Sequence, residues 1–360
     1  MPLTTDKSRR FFLQSSLVGG LAFSATALKG FNDTHAEEKS YIPGTPLNIL
    51  LGNKLEKEFE QSLRGISSGI QLLKSSDEAA LAQADVYFGR IPEADFRKTK
   101  NLKWVHSSSA GVEHQLYPSF KESPVILSNA KGCYGPAIAE HTIGLLFTLT
   151  RKIGSQVRNM RTHQWKGEDD QMEMKDLTMG IVGFGGIGRQ TARRAKAFDM
   201  KILATDIQPF YDVQIGDLCD EMFYVYDGGL EQVLKRSDVV VSAAPHTPKS
   251  EGMFGREQFA LMKNGTYFIN VSRGKLVKTS ELVEALKNGH LAGAGLDVTD
   301  PEPLPEDHEL WDMPNVVITS HISGRSQHSW RRSQSVFVEN VNRFYHGYPL
   351  LNLVDKEAGF

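Results

Sequence analysis

The chain has 360 residues, 40% hydrophobic and 23% charged, an ordinary globular balance with length enough for two cores. Lys+Arg 41 against Asp+Glu 43 leaves a net charge of −2 with no long basic block, which excludes a nucleic-acid surface. The two cysteines, Cys133 and Cys219, lack metal-ligand spacing and cannot build a disulfide framework, so no metal site is expected and two unlinked core thiols are.

The N-terminal segment differs in kind from the rest. Ser8-Arg9-Arg10-Phe11-Phe12-Leu13-Gln14 precedes a mildly apolar run, Ser15 to Leu28, then Lys29 and a polar stretch reaching Ala36. A charged start, a short apolar run and small residues describe an export signal, here residues 1–36. Paired arginines before Phe and Leu resemble the bacterial twin-arginine type. Cleavage is expected after Ala36, with Ala27 the other option. This predicts a periplasmic or otherwise exported protein that engages the twin-arginine export machinery and keeps no membrane span after cleavage. An uncleaved membrane anchor and an organelle transit peptide are the rival readings.

From Leu47 onward short apolar runs alternate with amphipathic stretches, the pattern of α/β layering. Strands are expected at Leu47–Leu51, Ala84–Phe88, Leu102–Ser107 and Val125–Ser128. Pro136 suits the first turn of a helix that the pattern carries to about Met160. Six further strands follow, at Met179–Phe184, Lys201–Thr205, Asp238–Ala243, Thr266–Val271, Leu291–Val298 and Val316–Thr319. Helices between them, such as Gly229–Arg236 and Ser280–Lys287, give two doubly wound parallel-sheet domains. A last helix, from about Ser326 to His346, is expected to return to the first domain. That domain is then discontinuous, residues 41–150 plus 325–360, around a Rossmann domain of residues 151–324.

The strand ending near Val182 runs into Gly183-Phe-Gly-Gly-Ile-Gly188, a helix follows, and the next strand ends on Asp206. Gly183 permits the tight turn, Gly185 lets backbone approach a pyrophosphate, and Gly188 lets the helix pack on the strand. The helix N-terminus offers free N–H groups and a favourable dipole to the anion. Asp206 is placed to accept from the ribose hydroxyls and would repel a 2′-phosphate, which favours NAD over NADP.

Three reactive side chains stand just past predicted strand ends, where ligands bind in such sheets: Arg273, Glu302 and His321. A guanidinium fork suits a carboxylate and a carbonyl oxygen. A histidine suits proton delivery to an oxygen that gains charge. Glu302 bonded to the imidazole would fix its tautomer and steady its charged form.

The ordered segments Gly183–Gly188, Asn270-Val-Ser-Arg-Gly274, Gly295-Leu-Asp-Val298 with Pro301-Glu-Pro-Leu304, and Ser320-His-Ile-Ser-Gly324 resemble the signatures of the D-isomer-specific 2-hydroxyacid dehydrogenases. Asn129–His141 and Asn352–Asp355 share the likeness, which runs from about Leu47 to the end. The resemblance implies an NAD-dependent interconversion of a 2-oxo acid and a D-2-hydroxy acid, with Arg273 binding substrate, His321 as acid/base and Glu302 tuning it. It implies that the backbone of Ser109, Ala110, Gly111 and Val112 holds the substrate carboxylate. Cofactor contacts are implied for Gly183, Gly185, Gly186, Ile187, Gly188, Asp206, Pro245, Thr247, Val271, Ser272, Arg273, Asp297, His321 and Gly324, and a homodimer built through the nucleotide domain. Ser320, Ser323, Thr299 and His246 depart from the usual pattern and leave the substrate's side chain open. An NAD-binding sensor of the same fold, and a relative acting on formate or phosphite, remain the alternatives.

Overall fold

A computed structural model describes residues 45–74, 77–207 and 216–360, and the predicted leader lies outside them. Runs rich in Val, Ile, Leu and aromatic residues form the strands, because such side chains pack well on a pleated surface. The first sheet holds β1 (Leu47–Leu51), β2 (Ile70–Leu73), β3 (Val86–Phe88), β4 (Trp104–His106) and β5 (Ile126–Ser128). Its order is β2-β1-β3-β4-β5, with every pair parallel.

The second sheet holds β6 (Thr178–Val182), β7 (Lys201–Asp206), β8 (Glu221–Tyr224), β9 (Val239–Ser242), β10 (Thr266–Asn270), β11 (Leu291–Leu296) and β12 (Val316–Ile318). Its order, β12-β11-β10-β9-β6-β7-β8, reverses direction between β9 and β6. That reversal opens a crevice beyond the strand ends, the usual seat of a ligand in an open α/β sheet. The α/β class with two parallel-sheet domains is therefore as expected.

Parallel sheets need both faces covered. On one face of the second sheet the helix Gly135–Thr150 lays Ile143, Leu146 and Leu149 beside Ile181 and Ile202; on the other, Val233, Phe259 and Leu286 join Val240 and Phe268. The last helix, Ser329–His346, buries Phe337 and Val341 against Ile49, Phe88 and Trp104 of the first sheet. Truncating Phe337 to Ala would cost about 3–5 kcal/mol. Among the described residues no helix is long and apolar enough to cross a membrane.

Three expectations need correction. The second sheet has seven strands rather than six, because β8 is a part-exposed edge strand without apolar alternation. Strand β2 was likewise not anticipated; it is the half-buried edge of the first sheet. The helix from Pro136 stops at Thr150, and a second one runs Ile153–Arg161. Lys152 between them is left-handed, at φ 58°, and the Thr150 carbonyl accepts from the Met172 N–H instead of a further helical turn.

Candidate active site

The glycine turn links β6 to the helix Gly186–Lys196. Gly183 has φ 93°, and a Cβ there would meet the Ala244 backbone at 2.6 Å. A Cβ on Gly188 would lie 2.3 Å from the Gly183 carbonyl oxygen, so helix and strand touch only because it is absent. At Gly185, in contrast, an added Cβ meets nothing within 4 Å: the space over the turn is open. Gly186 is exposed and Ile187 half-buried at the start of this helix, whose first N–H groups face that space. Asp206 closes β7, and its carboxylate accepts from the N–H groups of Phe184 and Ile207, both at 2.7 Å. An open, donor-lined turn with a carboxylate beside it fits the diphosphate and ribose of NAD.

Loops after β9 and β10 extend the same edge. Pro245 is exposed, and Thr247 is tied through its N–H to Ser250 Oγ at 2.8 Å. Val271 and Ser272 are buried, with Ser272 Oγ at 3.0 Å from Ser242 Oγ. Gly324 lies against the Tyr134 ring. These residues line one crevice edge.

Past β10, Arg273 reaches across to the first sheet. Its Nε donates to Glu113 Oε1 at 2.5 Å and its Nη1 to the Ser272 carbonyl at 2.8 Å. Its Nη2 stands where a Cβ on Gly111 would be, 1.7 Å from that position, so a side chain there would displace the guanidinium. The predicted carboxylate loop and the predicted arginine therefore meet. The loop is pinned from behind by Asn129 Nδ2 to the Ala110 carbonyl (2.7 Å) and by Tyr134 Oη to the Ser108 carbonyl (2.5 Å). Among the described residues nothing occupies the N–H groups of Ala110, Gly111 and Val112, while Ser109 donates to Ser107 Oγ at 3.3 Å. Glu113 was not foreseen, since a carboxylate in the single 3₁₀ turn Glu113–Gln115 carries no motif. Burial works to raise its pKa, but the Arg273 charge and hydrogen bond hold the carboxyl below the usual glutamate range.

Past β12 comes His321, whose Nδ1 lies 2.6 Å from Glu302 Oε1. The imidazole is exposed and its residue is left-handed, at φ 53°, an uncommon place for a side-chain-bearing residue. Asp297 holds that conformation. Its carbonyl accepts from the His321 N–H at 2.8 Å, and its carboxylate takes the N–H groups of Ile322 and Ser323 and the hydroxyl of Thr319. Thr319 Oγ1 is in turn 2.8 Å from His141 Nε2 on the helix Gly135–Thr150. Burial opposes ionisation of Asp297, yet the bonds from Ser323 and Thr319 keep its carboxyl below the ordinary range. Its side chain has no exposed surface, so here it anchors the histidine loop. Glu302–His321 and Arg273 thus follow β11, β12 and β10, three adjacent strands.

The family model described as D-isomer specific 2-hydroxyacid dehydrogenase, NAD binding domain, matches residues 143–323. A glyoxylate reductase of Thermofilum pendens is 34% identical over 263 residues, 72% of this chain and 76% of its own. One of Pyrococcus furiosus is 32% identical over 318 residues, 85% and 92% respectively. Among solved structures, the NADPH-dependent glyoxylate/hydroxypyruvate reductase of Sinorhizobium meliloti, crystallised with NADP and sulfate, has a TM-score of 0.72 at 28% identity, over 87% of this chain and all of that one. The chain belongs to the D-isomer-specific 2-hydroxyacid dehydrogenase family, NAD-dependent oxidoreductases that interconvert 2-oxo acids and D-2-hydroxy acids.

Proposed function

We propose that Arg273, His321 and Glu302 carry the reaction, with the backbone of Ser109–Val112 as the seat of the substrate carboxylate. The observation that carries this reading is the lodging of Arg273 Nη2 against Gly111, beside N–H groups that no acceptor among the described residues uses. The turn Gly183–Gly188 and Asp206 would hold a nicotinamide dinucleotide, which when bound would supply the hydride for reduction of the substrate's C2 or take it up in oxidation. Arg273 holds the carboxylate and polarises the carbonyl with its unengaged N–H groups. His321 gives a proton from Nε2 to the substrate oxygen during reduction and removes it during oxidation, while Glu302 fixes Nδ1. Gly183–Gly188, Asp206, Pro245, Thr247, Val271, Ser272 and Gly324 are assigned to the cofactor, and Asp297 acts on it through the histidine loop. Incubating the protein with NADH and a panel of 2-oxo acids tests this. Turnover abolished by His321→Ala is expected, and no turnover with any acid overturns it.

Two further assignments belong to the same reading. The segment Ile153–Arg161 exposes Ile153, Val157 and Met160, and Trp165 beyond it is fully exposed, an apolar surface on the nucleotide domain that suits a second copy of the chain. Light scattering should give a dimer, and Val157→Glu a monomer. The twin-arginine motif at Arg9–Arg10 supports export of a folded protein, and NAD then stays bound and is recycled in place between two substrates. Fractionation of a signal-bearing cell culture, and NAD loss on dialysis of the exported protein, test location and retention separately.

A further inference from the structure

A cation the reaction does not use stands close to the carboxylate loop: the charge of Arg90 acts on His114, in the turn that follows the loop. Arg90 follows β3, and its neighbours are fixed: Gly89 donates its N–H to the His106 carbonyl at 2.9 Å, and Ile91 donates to Gln115 Oε1 at 3.1 Å. Gln115 Nε2 and Tyr117 Oη return bonds to the Ile91 carbonyl at 3.4 and 3.3 Å. These bonds clamp Arg90 beside the turn Glu113–Gln115. Glu113 opens that turn and Gly111 lies two residues before it, both against Arg273. Arg90 and Arg273 therefore flank one short stretch of chain, Gly111–Gln115, whose 3₁₀ turn rises only about 2 Å per residue. Both lie beyond the carboxyl ends of their strands, where substrate binds.

The charges there do not cancel. Glu113 answers Arg273, whereas Arg90 is exposed and makes no ion pair or hydrogen bond among the described residues. The next acid along the chain, Glu93, is bound to Arg97 at 2.6 Å and to Ser119 at 2.8 Å. His114 lies between the two arginines, half-buried: burial first, then the charges of Arg90 and Arg273, push its pKa down against the pull of Glu113. Its ring is thus biased toward the neutral form, next to an unanswered cation.

We propose that Arg90 and His114 form a second anion subsite, so that the preferred 2-oxo acid carries a further carboxylate or phosphate at the end remote from Arg273. The inference rests on Arg273 holding the substrate's own carboxylate. A dianion placed this way answers both arginines and accepts from His114, while a monoanion leaves Arg90 facing water.

The test compares kcat/KM for pyruvate, oxaloacetate and 3-phosphohydroxypyruvate with NADH, in the native protein and in Arg90→Ala and Arg90→Lys. At least one dianion should be preferred over pyruvate by about tenfold or more, the scale of one charge-assisted hydrogen bond. Arg90→Ala should remove that preference and leave pyruvate within about twofold, Arg90→Lys should restore part, and added salt should erode the dianion's advantage. Whichever dianion shows the Arg90-dependent part identifies the terminal group as carboxylate or phosphate. Pyruvate turned over with no dianion preference, or an equal loss for all three acids in Arg90→Ala, overturns the subsite alone. No turnover with any of them overturns the assignment of Arg273 along with it.

Discussion

Glu113 Oε1 accepts a hydrogen bond from Arg273 Nε at 2.5 Å, so the loop after β4 sets the angle of the arginine that follows β10. With Nε taken by Glu113 and one hydrogen of Nη1 by the Ser272 carbonyl, the guanidinium presents its Nη2 edge to the loop at Gly111. The two halves of the site come from different sheets, and this pair is where they are joined by charge.

Replacing Glu113 with Ala should therefore raise KM for the 2-oxo acid about tenfold, with kcat changed less, since Arg273 is left unaimed but present. Gln, which can still accept from Nε, should recover part of the loss. The pair is 30% and 41% exposed, so its weight in stability is about 1 kcal/mol or less and the melting midpoint should barely move. Because the carboxyl is held below the usual range, its contribution is present at neutral pH and fades only as pH falls below ordinary glutamate values. Steady-state kinetics between acid and neutral pH checks both statements; unchanged KM in the Ala variant overturns the role.

His321→Ala should lower kcat by about 10²–10⁴ while NADH binding, followed by fluorescence of the reduced nicotinamide, persists. Glu302→Gln should cost less, because its part is to hold Nδ1 at 2.6 Å rather than to move the proton. An NAD-dependent sensor would keep its output in both variants, so equal activity of native and His321→Ala protein would favour that alternative.

Much of this was legible because local chemistry and topology agree. Gly183 and Gly188 are demanded by a tight turn and a close helix–strand contact, Gly185 leaves the space over the turn open, and that spacing between two strands is the pattern of a dinucleotide site. Arg273, Glu302 and His321 stood out because each follows a predicted strand end. What stayed hidden depends on partners distant in sequence. Glu113 sits in a turn without periodicity, and its meaning arises only from a residue 160 positions away. Asp297 read as a cofactor contact, yet its carboxylate is spent on Ser323, Ile322 and Thr319, a loop conformation that sequence spacing does not reveal. The edge strand β8, part-buried on both sides through Met222 and Phe223, left no alternation to find.

Asp206 ties two functions together. Its carboxylate accepts from the Phe184 N–H inside the glycine turn and stands where the ribose of NAD is expected. Asp206→Ala should weaken NAD binding by loosening the turn, and should remove the repulsion of a 2′-phosphate. The ratio of kcat/KM for NADH over NADPH is expected to fall by about tenfold or more, the scale of one charge-assisted bond. A ratio unchanged by the substitution would place cofactor choice elsewhere on the edge.

His106 is expected to make the fold less stable in acid. It is wholly buried at the end of β4 among Phe88, Trp104 and Phe337, with Nδ1 at 2.7 Å from Ser128 Oγ and Nε2 without a hydrogen-bond partner. Burial pushes its pKa down to about 3 from the usual 6.5. The folded chain therefore keeps the ring neutral while the unfolded chain takes up a proton below pH 6.5. The stability this group contributes is complete above that pH and is lost as pH falls toward about 3, at close to 1.4 kcal/mol per pH unit. His106→Gln keeps a partner for Ser128 and removes the titration, so its unfolding free energy should fall less steeply between pH 6.5 and pH 4. Urea titrations across that range measure the two slopes. Parallel profiles would mean that the acid lability arises elsewhere, with the paired carboxylates Asp297 and Glu113 the next groups to replace.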